Sequence, residues 1–271
     1  MSNFLSVATL PGLNNLAMNP CKLLNFQLLN LSDGETFDGE SGEREILAVI
    51  LGGKATFTIG DQFFERLGGR PNVFSGKPYS VYIPCQADFS ITGNGGAEIA
   101  LASAPSDLLS APYIIPPEKV TGASGGAANF KRTFFHILTL ASQPELPARR
   151  LIVGETFLPS GNWGAYPPHR HEKDNLPFEA YLEEMYFFRI NPPDGFGMTR
   201  YYTDEMDTSY VVHNDTILMA PGGYHTVVGA PGYTTYILWI MAGNQRVMAS
   251  VDDPAQAWVG RTVPMLQELG H

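Results

Sequence analysis

The sequence predicts an all-β protein built from two tandem β-barrel halves. Three observations point there. Glycine and proline are abundant, 28 and 21 of 271 residues, as in a chain that reverses direction often. Short apolar runs bounded by those turn residues recur along the whole length. Helical spacing at i, i+3, i+4 is scarce outside the C-terminal "PMLQELGH", with a short turn at "DDPAQAW".

The elements follow in order. "EILAVILGGKATFTIGDQFFERLG" reads as a strand, a Gly-Gly turn, an alternating strand, a Gly-Asp turn and a third strand. "YSVYIPCQADFSITGNGGAEIALASA" reads as three strands with turns at residues 84–86 and 94–96. Residues 112–130, "PYIIPPEKVTGASGGAANF", are rich in Pro and then in Gly and Ala, which marks a linker. The expected halves are residues 1–120 and 121–271. In the second, "RRLIVGETFLPSG" is a strand and turn, and "LEEMYFFRINPPDGFGMTRYYTD" is two strands about a Pro/Gly turn. "NDTILMAPGGYHTVVGAPGYTTYILWIMAG" repeats the grammar of "PYSVYIPCQADFSITGNGGAEIALASA": strand, Pro-containing turn, strand, Gly turn, strand.

Composition excludes several functions. A net charge of −10 argues against nucleic acid, whose phosphates need clustered Lys and Arg. No apolar run approaches the roughly 18 residues of a membrane helix. Cys21 and Cys85 form no metal-binding or disulfide pattern and read as reduced core thiols, so a cytoplasmic location is expected.

All six histidines lie beyond residue 130, so an imidazole site is expected only in the second half. His169 and His171 stand two apart, and on a strand they share one face. Such a pair is either an exposed polar loop or two ligands of one cation. Glu184 opens the aromatic strand "EMYFFRI", where an inward carboxylate needs a partner, and Glu183 faces the other way. His225 sits in "MAPGGYHTVV", where a tight turn enters a strand. Glu172 and Glu179 lie between the histidines and that strand and are read as solvated.

These residues resemble the metal site of the cupin superfamily: HxH and Glu from one motif, His from a second. The twelve residues between His171 and Glu184, and the shortened "PGGYH", depart from the usual spacing. A narrower family fits both departures. "GNWGAYPPHRHEKDNLPFEAYLEEMYFFRINPPDGFGMTRYYTDEMD" and "MAPGGYHTVVGAPGYTTYILWIMAG" closely resemble the 5-deoxy-glucuronate isomerases of inositol breakdown, as does "RLGGRPNVFSGKPYSVYIP". The resemblance implies a bicupin, two cupin-type double-stranded β-helix barrels with a metal site only in the later one. It implies His169, His171, Glu184 and His225 around a divalent Zn, Mn or Fe ion, and an aldose–ketose isomerisation of a small sugar acid. A sister family, the 4-deoxy-threo-hexosulose-uronate ketol-isomerases, has a shorter gap between HxH and Glu. A bicupin dioxygenase and a sugar-holding bicupin are the other classes that such a site serves.

The expected substrate carries a carboxylate, for which Arg is the best partner. Arg200 is the expected clamp, with Arg189 second. Glu184, Tyr186 and Tyr202 are the expected proton-transfer candidates, and Tyr166 the expected lining of the barrel mouth. His136 stands where the family has Asn and is not expected to ligate. His213 and His271 are read as exposed bystanders, and Lys173 and Asp174 as a loop that closes the site or keeps it soluble. A homo-oligomer is expected, assembled through the half without ligands.

Overall fold

Runs of β-branched and aromatic residues set the architecture. The computed structural model describes residues 2–270. Its first part holds β1 (Phe4–Ser6), β2 (Gly12–Asn15), β3 (Asn25–Leu31), β4 (Thr36–Glu40), β5 (Arg44–Ile59), β6 (Gln62–Gly68), β7 (Ser80–Ile83), β8 (Asp88–Pro105) and β9 (Tyr113–Ile115). The later part holds β10 (Thr121–Gly125), β11 (Arg132–Leu138), β12 (Leu151–Leu158), β13 (Trp163–Arg170), β14 (Glu172–Asn175), β15 (Glu179–Asn191), β16 (Gly197–Tyr202), β17 (Asp207–Val212), β18 (Thr216–Ala220), β19 (Tyr224–Gly229), β20 (Thr234–Gly243) and β21 (Val251–Asp252). A single α-helix among the described residues, Val263–Glu268, follows a 3-10 turn at Ala257–Thr262. No helix is long and apolar enough to cross a membrane.

The strands form three sheets. One eight-stranded sheet runs β2-β3-β8-β5-β7-β9, with β4 on β8 and β6 on β5. The other runs β1-β18-β15-β20-β12-β11-β10, with β14 on β15. A five-stranded sheet, β17-β16-β19-β13-β21, completes the later half. The paths β3-β8-β5-β7 and β12-β20-β15-β18 are equivalent, so the repeat read from the sequence is present in the hydrogen-bond ladders. Glu45 opposes Ala104 as Glu183 opposes Ala242, and Glu40 opposes Asp88 as His169 opposes His225.

Side-chain alternation divides the apolar residues among three clusters. Leu47, Val49, Met185 and Phe187 belong to a core shared by the two halves, where Phe26 stacks on Phe187 at 5.0 Å. Ile46, Ala48 and Ile50 face the interior of the first half. Tyr186 and Phe188 face the interior of the second.

Two buried carboxylates tie the halves together. Glu45 of β5 accepts the backbone N–H groups of Arg149, Arg150 and Leu151, at 2.6, 2.6 and 2.9 Å, where the chain enters β12. Glu183, its counterpart on β15, accepts those of Lys22, Leu23 and Leu24, at 2.8, 2.7 and 3.0 Å, just ahead of β3. A third link is the ion pair of Arg70 and Glu155 at 2.7 Å, both buried.

Three expectations change. The glycine pair at 52–53 is not a turn: β5 runs through it and stays paired with β8, which runs through residues 94–96. Both strands bend together at bulges, and Gly53, at φ +81°, lies so near Gly96 O that a Cβ would meet it at 2.1 Å. Residues 112–130 are not a free linker, because β9 pairs with β7 and β10 with β11. Strand β1, expected in the first half, instead pairs with β18 in the sheet of the later strands.

Glu45→Ala strands the buried Leu151 N–H and Tyr82 hydroxyl and the part-buried N–H groups of Arg149 and Arg150, so it should lower unfolding stability by about 3 kcal/mol or more. Urea denaturation followed by circular dichroism measures this. An unchanged midpoint and slope would refute the role given to Glu45.

Candidate metal centre

The site lies between the large later sheet and the five-stranded sheet. In β13 the alternation turns His169 inward and Arg170 outward, where Arg170 pairs with Glu172 at 3.1 Å and lies over the Tyr224 ring. His171 follows on the inward side. His225 lies directly opposite His169 on β19. Glu184 reaches in from β15 in the facing sheet. The tight turn at Pro221–Gly223 lets the chain leave β18, opposite Glu184, and enter β19 with His225 aimed at the same point.

The four side chains converge. One ligand atom from each of His169, His171, Glu184 and His225 lies within 4.8 Å of the others. Glu184 Oε2 is 2.9 Å from His171 Nε2 and 2.8 Å from His225 Nε2. The second contact is off the hydrogen-bonding direction, so neither ring nitrogen of buried His225 has a hydrogen bond. His171 Nδ1 donates to Leu182 O at 2.6 Å, which orients the ring and turns Nε2 to the centre. A buried imidazole without hydrogen bonds, beside a carboxylate and two further imidazoles, forms a group that could hold a divalent metal ion.

Burial sets the charges. It pushes His169 down to about 3, with His225 and His171 adding to the effect, so this imidazole is neutral. Burial pulls His171 down as well, but the hydrogen bond and charge of Glu184 outweigh it and raise the ring's pKa. Glu184 is pushed up by burial and held well below the carboxylate range by His171 and His225. The neutral His169 ring and the ionised Glu184 carboxylate are in the forms that bind a metal.

Beside the cluster is a cleft of about 370 Å³. Its walls include Arg132, His136, Tyr166, Tyr186, Trp239 and Asp252. Tyr186 is buried, its ring edge-on to His225 at 5.3 Å. Tyr166 lines the cleft as expected. His136 lines a wall, with Nδ1 on Ser142 Oγ at 2.9 Å, and stands outside the ligand group. His213 is exposed, and His271 lies outside the described residues.

Two expected site residues lie elsewhere. Tyr201, opposite His225, is the inward residue of β16, so Arg200 and Tyr202 face outward. Arg200 is bound to Asp207 at 2.8 and 2.6 Å and stacks on Tyr202, whose hydroxyl donates to Asp253. Arg189 pairs with Glu98 and Asp215, both at 2.6 Å. Faces of β16 can be grouped from sequence, but which one is inward depends on the opposing sheet. Glu179 is buried rather than solvated, accepting the Glu172 N–H, while Glu172 accepts that of Gly223. Lys173 and Asp174 lie on β14, which pairs with β15, and Asp174 holds Tyr181 N and Asn244. The sequence reading missed Arg132 and the segment 248–252. Arg132 alternates with Phe134 and His136 in "RTFFHIL", a pattern that marks one polar-aromatic face.

Comparison with known proteins gives a consistent picture. A family model described as the KduI/IolB family matches residues 15–259. A 5-deoxy-glucuronate isomerase of Geobacillus kaustophilus (strain HTA426) is 38% identical over 239 residues, 87% of this chain and 85% of that protein. One of Bacillus subtilis (strain 168) is 38% identical over 87% of each. The crystal structure of an IolB-like protein from Salmonella typhimurium LT2 matches with a TM-score of 0.88 at 31% identity, covering 94% of this chain and 98% of that one. Lactobacillus farciminis oxalate decarboxylase shares the fold alone, with a TM-score of 0.65 at 10% identity over 92% of this chain and 88% of that one.

His225→Ala removes one arm of the cluster from a site that remains folded. Calorimetric titration of the demetallated protein with Zn or Mn should show about one ion per wild-type chain and an affinity at least about tenfold weaker in the variant. Equal affinities would remove His225 from the ligand set.

Proposed function

The chain belongs to the KduI/IolB family, and on that premise we propose that its cleft converts 5-deoxy-glucuronate to 5-dehydro-2-deoxy-gluconate in myo-inositol catabolism, with a divalent ion bound by His169, His171, Glu184 and His225. The observation that carries this reading is the convergence of those four ligand atoms beside a cleft, in a chain 38% identical over 87% of its length to proteins named for this isomerisation.

The fold is read as a bicupin, two tandem cupin-type barrels with ligands only in the later. The repeated sheet path supports this. The strand registers make Glu40, Gly42, Ile46 and Asp88 the counterparts of His169, His171, Glu184 and His225. A glycine and an isoleucine cannot ligate, so the first half keeps the scaffold without the donor set.

The reaction is internally balanced. A hydrogen leaves the carbon beside the aldehyde and arrives at the aldehyde carbon, and a proton moves from the hydroxyl oxygen to the former carbonyl oxygen. No external oxidant or reductant takes part. A bound Zn, Mn or Fe ion supplies Lewis acidity that polarises the carbonyl. The chain's own residues supply the rest. His169 stays neutral through burial, and Leu182 O fixes the His171 ring. Burial and the neighbouring Glu184 carboxylate keep the Tyr186 phenol protonated, so it serves as a hydrogen-bond donor rather than as a source of protons. Trp239, Phe134 and Met241 form apolar wall that excludes water from the reacting carbons.

Assay of metal-loaded protein on 5-deoxy-glucuronate beside 4-deoxy-threo-hexosulose uronate tests the assignment. Turnover should favour the first, vanish on chelation and return with added metal. Glu184→Gln should lower kcat/KM by about 100-fold or more, since even outer contacts of metal ligands are worth 10- to 100-fold. Full activity after verified removal of metal would end the metal-dependent reading.

A further inference from the structure

The walls of the cleft are mostly aromatic, apolar or imidazole, and they carry one Lys or Arg side chain, Arg132. Arg132 opens β11, and the alternation that puts Phe134 and His136 on the wall puts Arg132 there too. Its guanidinium packs against the Gly125–Gly126 turn. A Cβ at Gly125 would stand 3.7 Å from Cζ, and one at Gly126 3.0 Å from Nη1. The glycine-rich stretch therefore keeps space for this side chain.

Arg132 differs from three other arginines of the later half. Arg170, Arg189 and Arg200 are each ion-paired. Among the described residues no carboxylate lies within ion-pair distance of Arg132, although burial depresses its pKa. Arg132 lines the same cleft as Tyr186, His169, His171 and Glu184. Asp252, opposite His169 on β21, lines the same cleft and repels an anion placed near it. The cleft thus has one electropositive position, at Arg132.

We infer that Arg132 binds the carboxylate of the substrate and so determines both the preference for a sugar acid and the end of the chain that faces the metal ligands. This rests on the isomerase reading for the identity of the substrate, and on the cleft alone for the recognition of a carboxylate. The guanidinium offers two parallel N–H donors to the carboxylate, and an open-chain uronate held there directs its aldehyde end toward Glu184.

Two measurements keep the clamp separate from the isomerase assignment. In steady-state kinetics with 5-deoxy-glucuronate, Arg132→Met should raise KM about 10- to 100-fold, the range of a charge-assisted hydrogen bond, with kcat changed less. Arg132→Lys should recover part of the loss, and Arg200→Ala should leave KM unchanged. In calorimetric titration of the metal-loaded protein, D-glucuronate should bind more tightly than D-glucose, and Arg132→Met should abolish that preference with metal content and circular dichroism retained. A wild type that binds glucuronate through Arg132 yet does not turn over 5-deoxy-glucuronate would sink the isomerase assignment and keep the clamp. An Arg132→Met variant with unchanged KM, or a wild type indifferent to the carboxylate, would overturn the clamp.

Discussion

Strand β15 carries two buried carboxylates back to back, and much of the molecule depends on their separation. A period of two sends Glu183 to the seam between the halves and Glu184 to the later interior. Glu183 gathers three backbone N–H groups of the N-terminal segment, and Glu184 gathers two imidazoles. Neither could be buried alone, since an uncompensated carboxylate in an apolar interior is strongly penalised. A register slip of one residue would exchange their environments and undo the seam and the ligand cluster together. The strand's other residues, Met185 and Phe187 on one side and Tyr186 and Phe188 on the other, enforce that register by filling two different cores.

Much of this was legible in the sequence. The strand pattern follows from local alternation, and the convergence of His169, His171, Glu184 and His225 is the one that the family-specific strings imply. The opposite orientation of Glu183 and Glu184 follows from the same period. What the sequence did not disclose was the partner of each face. Arg200 and Tyr202 were correctly grouped, yet Tyr201 is the residue that meets His225. Arg132 escaped notice because it lies beside a Gly- and Ala-rich stretch whose composition suggests a flexible connection. That stretch is instead a paired edge that supports the cleft wall.

The glycine pairs tell a similar story about context. Taken alone, Gly52–Gly53 and Gly95–Gly96 are turn signals. In the fold they meet at adjoining bulges of two long antiparallel strands, where Gly53 opposes Ala97, and the chain bends without reversing. Local chemistry specifies the positive φ of Gly53, and only the neighbouring strand decides whether that becomes a hairpin or a bulge.

Strand β1 has a consequence for how such a protein can change over time. The first residues of the chain complete a sheet otherwise built from residues 121–243, and each half holds the entry segment of the other through Glu45 or Glu183. Neither half is a portable module. Recombination that transplanted the ligand-bearing half into another gene would leave a raw strand edge at β18 and an unanswered carboxylate at Glu183. Either part separated from the other would therefore have to satisfy a buried carboxylate anew.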